Sequence, residues 1–133
     1  MRDGKHVILC VDDDPDVLHS LRLVLETAGY HVVAAANAEE GRAAAQQAEP
    51  DLLIVDLMME DVDSGFTLVK GLRAEGLTAP VYFLSSAGDY LFDTTDVGQF
   101  GAEGVFQKPL APDRLLSVVA ARLRASVGSS PTG

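Results

Sequence analysis

The chain has 133 residues, 47% of them hydrophobic, which suits one domain with one sizeable core and leaves no room for a second. Its 20 acidic and 10 basic residues give a formal net charge of −10, which argues against the positive surface that nonspecific nucleic-acid binding needs. Cys10 has no partner for an internal disulfide, and its apolar surroundings predict a buried residue. No apolar run is long enough for a membrane span or a signal peptide, so we expect a cytoplasmic protein.

Short apolar runs rich in Val, Ile and Leu alternate with longer segments of helical period. This alternation is typical of βα units, whose parallel strands are buried on both faces of a sheet. The predicted strands are His6 to Val11, His31 to Ala35, Leu52 to Val55, Val81 to Leu84 and Gly104 to Gln107. Five such units with right-handed crossovers predict an α/β fold, an open doubly wound sheet with helices on both faces.

Capping residues mark the first two predicted helices. Asp14 can cap a helix that has Pro15 at its first position and is stopped by Gly29. Asn37 and Glu40, three residues apart, form a capping-box pattern that opens an Ala-rich helix. Both patterns therefore place helix starts directly after a predicted strand.

The remaining helical segments differ in quality. Ser64 to Glu75 and a segment that starts near Pro112 have apolar residues at helical spacing. The segment from Asp89 to Gly101 has no clean apolar stripe, so we expect a short or irregular helix there. We predict a folded domain over residues 1–125 and a disordered tail or linker over residues 126–133.

Polar residues follow four of the predicted strands. Asp12 to Asp14 follow the first, Asp56 the third, Ser85 the fourth and Lys108 the fifth. Taken singly, each has an ordinary explanation as a helix start, a loop acid, a turn residue or a surface charge. Ligands of doubly wound sheets bind at the carboxyl ends of the strands, so we expect these side chains to converge at a functional site.

The converging residues suit magnesium and phosphoryl chemistry. Clustered carboxylates repel one another unless a hard cation neutralises them. Mg²⁺ binds one or two carboxylates, keeps several waters and accepts a phosphate oxygen as a further ligand. A lysine and a hydroxyl opposite could hold the other phosphoryl oxygens during transfer.

Four motifs in order resemble the receiver domains of bacterial response regulators. They are Ile8-Leu9-Cys10-Val11-Asp12-Asp13-Asp14-Pro15, Leu53-Ile54-Val55-Asp56-Leu57-Met58-Met59, Pro80-Val81-Tyr82-Phe83-Leu84-Ser85, and Gly101-Ala102 with Lys108-Pro109. The resemblance covers about residues 6 to 125. It implies a flavodoxin-like sheet with strand order 2-1-3-4-5 and a role in two-component signalling.

The resemblance also implies the roles of the metal-site residues. Asp56 is the phosphoacceptor and a ligand of the Mg²⁺ cofactor. Asp13 is a direct ligand, Asp12 is an acidic partner that acts through water, and the backbone carbonyl of Met58 is a further ligand.

In the same way, Ser85 takes the position of the switch hydroxyl and Lys108 that of the phosphate-binding lysine. The implied donor is a histidine kinase or a phosphotransfer protein, with small acyl phosphates as substitutes. Such a domain is not an enzyme beyond self-catalysed phosphotransfer and autodephosphorylation. It acts on a downstream protein target, can form a homodimer on phosphorylation, and is expected to bind neither nucleic acid nor membrane.

Three features depart from the family pattern: the loop after the acceptor, the aromatic switch position, and the poor fourth helical segment from Asp89 to Gly101. The segment Met59 to Gly65 lacks the usual proline and is one residue longer, so we expect a differently shaped loop. The family's aromatic switch position is Val105, with Phe106 next to it. A β-branched side chain cannot perform an aromatic swing, so the signal is expected to pass through Phe106 or the segment from Asp89 to Gly101.

Two alternatives remain open from the sequence. An aspartate-nucleophile phosphohydrolase would carry a D-x-D-x-T/V motif on its first strand, which Asp12 and Asp14 begin but Asp16 does not complete. A pseudo-receiver would bind a partner without phosphorylation. Turnover of a phosphomonoester would indicate the first, and absence of a phosphorylated species the second.

Overall fold

A five-stranded parallel sheet forms the centre of the protein, with strand order β2-β1-β3-β4-β5. The structure, a computed structural model, describes residues 4–57, 64–85, 101–108 and 110–128. The strands are β1 (Val7–Val11), β2 (His31–Ala35), β3 (Leu52–Asp56), β4 (Val81–Ser85) and β5 (Gly104–Gln107). The predicted doubly wound α/β architecture and its strand order are confirmed.

Two strands are longer at their carboxyl ends than the sequence indicated. β3 ends at Asp56 and β4 ends at Ser85, so both residues belong to the sheet itself. The expectation that every strand is buried on both faces is wrong for β2 and β5, which are partly exposed. The strand order leaves these two at the edges of the sheet, while β1, β3 and β4 are buried throughout.

Four helices are described: α1 (Pro15–Thr27), α2 (Ala38–Ala48), α3 (Ser64–Ala74) and α4 (Pro112–Gly128). The predicted tail is wrong in its first three residues, because α4 continues to Gly128. No proline interrupts the chain between Pro112 and that glycine, so the helix is free to propagate. Residues 89–100 of the predicted irregular helix lie outside the described residues. None of the described helices is long and apolar enough to cross a bilayer.

The predicted caps are present, with one difference. Asp14 accepts a hydrogen bond from the backbone N–H of Asp16, and Asn37 accepts one from that of Glu40. The reciprocal half of the capping box is displaced, because Glu40 accepts from the N–H of Ala36 instead of that of Asn37. Gly29 ends the α1 turn at a φ of +99°, a conformation that favours glycine.

The core has two layers, one on each face of the sheet. On one face, alternate strand residues such as Ile8, Ile54 and Leu84 pack with residues of α1 and α4. On the other, Leu9 and Phe83 belong to the layer that contains residues of α2 and α3. The helices therefore hold the strand ends from both sides. Cys10, predicted to be buried, has no exposed surface.

Candidate functional site: the carboxyl edge of the sheet

The register of the sheet brings three of the predicted residues to one edge. Val11 pairs with Val55, so Asp12 and Asp56 are the next residues of two neighbouring strands. Asp56 in turn pairs with Leu84, which precedes Ser85. The backbone N–H of Asp12 donates to the carbonyl of Ala35 at 3.1 Å and extends the β1 ladder by one residue. The sheet thus sets the backbone positions of these polar side chains.

Lys108 reaches back over this edge and contacts two carboxylates. Its Nζ lies 2.9 Å from Oδ2 of Asp12 and 3.4 Å from Oδ2 of Asp56. The side chain of Asp12 is fully buried and that of Asp56 is 4% exposed, whereas that of Lys108 keeps 18% of its surface exposed. A buried carboxylate pair of this kind requires compensation, and the ammonium group supplies it.

The carboxylates of Asp12, Asp13 and Asp56 converge on a common space. One oxygen from each lies within 4.8 Å of the others, while Asp13 itself is exposed to solvent. Asp12 is already engaged twice, since its Oδ1 accepts from the N–H of Asp14 at 2.9 Å and its Oδ2 contacts Lys108. This arrangement fits a hard divalent cation, with the exposed Asp13 and the buried Asp56 as ligands and Asp12 as a supporting charge.

Ser85 occupies the last position of β4 and is 4% exposed. Its carbonyl accepts a hydrogen bond of 2.8 Å from the backbone N–H of Lys108, which follows β5. The structure therefore places the backbones of Ser85 and Lys108 side by side. The predicted ligand Met58 and the longer loop through Asp63 lie outside the described residues.

Val105, at the family's switch position, and its neighbour Phe106 face different layers of the core. Val105 is partly buried and packs against the layer that contains residues of α2 and α3. Phe106 is 3% exposed and belongs to the opposite layer, where its ring centroid lies 5.2 Å from that of Tyr82. Phe106 is thus part of the core in this conformation, and the other predicted route, Asp89 to Phe100, lies outside the described residues.

Sequence reasoning missed the part that Gly65 plays at this edge. Its backbone N–H donates to the carbonyl of Leu57 at 3.0 Å, so the first turn of α3 is joined to the residue after Asp56. The sequence contained one signal, a glycine near the start of a predicted helix, which is unfavourable unless space requires it.

The environment shifts the pKa of two titratable groups at or near this edge, Lys108 and Cys10. Burial lowers the pKa of Lys108, but the hydrogen bond and charge of Asp12 and the charge of Asp56 outweigh it, so the pKa lies above its ordinary 10.5. Burial raises the pKa of the Cys10 thiol to about 12; the charge of Arg22 opposes this and that of Asp12 adds to it. Lys108 is therefore held in its charged form, and Cys10 stays a neutral thiol.

The family comparison agrees with this geometry. The response regulator receiver domain family matches residues 8–120, and the chain belongs to that family. It is 39% identical over 119 residues to the DNA-binding dual master transcriptional regulator RpaA of Synechocystis, covering 88% of this chain and 48% of that protein. It is 34% identical over 125 residues to the Bacillus subtilis alkaline phosphatase synthesis transcriptional regulatory protein PhoP, covering 94% and 51%. The chain spans about half the length of these curated relatives.

Solved structures show the same fold. The chemotaxis response regulator CheY4 of Vibrio cholerae has a TM-score of 0.79 and 30% sequence identity, over 89% of this chain and 98% of that one. A CheY-like response regulator receiver domain protein of Methanospirillum hungatei has a TM-score of 0.81 and 26% identity, over 96% and 100%. The protein is therefore a receiver domain of the two-component signalling type. This membership favours the receiver interpretation over the phosphohydrolase alternative.

Proposed function

We propose that this domain accepts a phosphoryl group on Asp56 in a Mg²⁺-dependent reaction. The observation that carries the proposal is the convergence of Asp12, Asp13 and Asp56 within 4.8 Å, together with the contacts from Lys108 to two of them. A carboxylate oxygen of Asp56 attacks the phosphorus of the donor, and a new P–O bond forms while the donor's bond to phosphorus breaks. The product is an acyl phosphate on Asp56.

Each neighbouring residue has a distinct part in the proposed reaction. Asp13 and Asp56 would hold Mg²⁺, with Met58 as the further ligand that the resemblance implies, and the bound ion would neutralise phosphoryl oxygens. Lys108 provides a second positive charge close to Asp56, because its Nζ is 3.4 Å from Oδ2. The hydroxyl group of Ser85, at the end of β4, would donate a hydrogen bond to a phosphoryl oxygen.

The family to which the chain belongs supports a proposal for the class of donor. We propose a histidine kinase or phosphotransfer protein as the physiological donor and a protein as the downstream target. The names of both curated relatives describe transcriptional regulators, and this chain covers about half of each. With a net charge of −10, this domain is not expected to contribute DNA binding of its own.

Intact-mass analysis after incubation with Mg²⁺ and acetyl phosphate tests the proposal. We expect one added phosphoryl group in the wild type and its loss in Asp56→Asn. Asp51→Asn is a matched control at the opposite end of β3, where the Asp51 side chain accepts from the N–H of Val7 at 2.7 Å. Asp51→Asn should be modified like the wild type. Unchanged modification of Asp56→Asn would remove the assignment, and an unmodified wild type would favour the pseudo-receiver alternative.

A further inference from the structure

We propose that Gly65 is a positioning residue for Asp56, and this inference rests on the proposed function. Gly65 is the second residue of α3 and does not have a positive φ, so its backbone conformation is open to any residue. Glycine is among the least favourable helix residues. What this position requires is therefore space, and not conformational freedom.

The space in question separates the helix from the backbone of the acceptor. A Cβ atom on Gly65 would lie 2.3 Å from the carbonyl oxygen of Asp56, 2.8 Å from Cα of Leu57 and 3.0 Å from the carbonyl oxygen of Leu57. All three neighbours are backbone atoms, which cannot turn aside as a flexible side chain can. Even alanine would force α3 and the end of β3 apart.

The close approach fixes Leu57, the residue after the acceptor, from two sides. Its N–H donates to the carbonyl of Leu84 in β4 at 3.0 Å, and its carbonyl accepts from the N–H of Gly65 at 3.0 Å. Leu57 is 2% exposed, so its backbone is held within the core. Because Asp56 is bonded directly to Leu57, these two hydrogen bonds also fix the position of the Asp56 carboxylate relative to Asp13 and Lys108.

A larger residue at position 65 should displace the acceptor by a chemically significant distance. Ordinary van der Waals contact begins at about 3.4 Å, and the nearest oxygen would be at 2.3 Å. A misplacement of roughly 1 Å can cost up to about a hundredfold in rate. Gly65 would act through Asp56, without touching the phosphoryl group itself.

Three glycine-to-alanine variants separate positioning from stability. Gly71 lies in the same helix, and a Cβ there would have nothing within 4 Å. Gly41 in α2 is also crowded, but by side-chain atoms of Val11 at 3.0 Å and Leu68 at 3.2 Å, which can adjust. Gly71→Ala controls for the substitution, and Gly41→Ala controls for crowding that disturbs the core away from the Asp56 backbone.

Phosphorylation by acetyl phosphate, Mg²⁺ affinity by calorimetry and thermal unfolding are measured for all three. We expect Gly65→Ala to lower the phosphorylation rate at saturating acetyl phosphate by at least tenfold and to weaken Mg²⁺ binding. Gly41→Ala and Gly71→Ala should stay within about twofold of the wild type in both, whatever their melting temperatures.

The outcomes distinguish this inference from the proposed function. A wild type that is not phosphorylated contradicts the proposed function, while Mg²⁺ affinity still tests the effect of Gly65. If Gly65→Ala matches Gly41→Ala in both rate and affinity, the positioning role is overturned. It is also overturned if Gly65→Ala does not fold while Gly41→Ala does, because Gly65 would then be a requirement of the fold alone.

Discussion

The two ends of the sheet both carry acidic residues, yet they are built differently. At the carboxyl end, Asp12 and Asp56 are buried and share one cation, Lys108. At the amino end, an open groove of about 650 Å³ is lined by several polar side chains, among them His6, Gln46, Glu49, Asp51 and Glu75. The presence of acidic residues alone therefore does not identify the candidate site.

The difference lies in how each carboxylate is used. At the amino end, Asp51 accepts from the N–H of Val7, and Glu75 forms an ion pair with Arg42 that joins the turn after α3 to α2. These two carboxylates therefore serve local structural contacts. Among the described residues, only the carboxyl end brings three carboxylates together, so convergence and burial, not the number of acids, mark the site.

The largest predicted effect compares the cations of the two ends. Lys108→Met removes the charge that compensates two buried carboxylates, so we expect the free energy of unfolding at pH 7 without metal to fall by about 2 kcal/mol. Arg42→Met removes one partner of an exposed pair and should leave the unfolding free energy nearly unchanged. Urea denaturation of both variants measures this difference.

Mg²⁺ sharpens the same comparison. Because a bound cation would partly replace the lost ammonium charge, added Mg²⁺ should recover more stability in Lys108→Met than in the wild type. Equal losses of unfolding free energy in the two variants without metal would show that Lys108 stabilises its end of the sheet no more than Arg42 does.

The second prediction concerns the accessible ligand. Asp13→Asn should weaken Mg²⁺ binding by about tenfold, because it removes one anionic ligand and leaves Asp56 in place. The fold should be as stable as the wild type or more so, since one of three close carboxylate charges is gone. Metal titration and thermal melts measure both quantities.

Glu49→Gln is the control for that change at the amino end. It removes one exposed carboxylate from the groove and should leave Mg²⁺ affinity unchanged. A less stable Asp13→Asn protein with full Mg²⁺ affinity would mean that Asp13 serves only the start of α1.

The site was predictable because parallel strands bring their carboxyl ends to one edge. Asp12, Asp56 and Ser85 follow apolar runs that the sequence shows plainly, and β1, β3 and β4 place them there. The strand order puts β2 and β5 at the edges of the sheet and leaves them partly exposed. Hydrophobic periodicity does not contain this order, which only the resemblance supplies.

Other features depended on three-dimensional distances that a linear pattern lacks. The contact of Lys108 with Asp12 depends on how the chain turns after β5, and the closeness of Gly65 to Asp56 depends on how α3 packs on β3. The composition from Ser126 onward predicts a linker, whereas α4 continues to Gly128 because nothing before that residue breaks the helix. The composition of residues 126–128 favours a tail, but in the structure these residues continue the helix.

The smallest predicted effect is a difference in pH dependence between the two ends, measured by urea denaturation without divalent metal. The hydrogen bond from Arg42 lowers the pKa of Glu75 below its ordinary 4.5. The ion pair therefore stabilises the folded protein above pH 4.5, and this stabilisation is lost as the pH falls through the pKa that Glu75 has in the folded protein. The unfolding free energies of Arg42→Met and the wild type should therefore converge below pH 4.5.

At the carboxyl end the alkaline side matters. The pKa of Lys108 is raised above 10.5, so its contribution is complete below that pH and is lost as the pH rises through the folded value. The difference in unfolding free energy between the wild type and Lys108→Met should therefore narrow above pH 10.5, whereas the difference between the wild type and Arg42→Met should not. The Cys10 thiol, with its pKa raised from 9.0 to about 12, lowers stability between those values in all three proteins, so it cancels from the differences. A Lys108→Met gap that stays constant well above pH 10.5 would mean that the ammonium charge does not stabilise this edge.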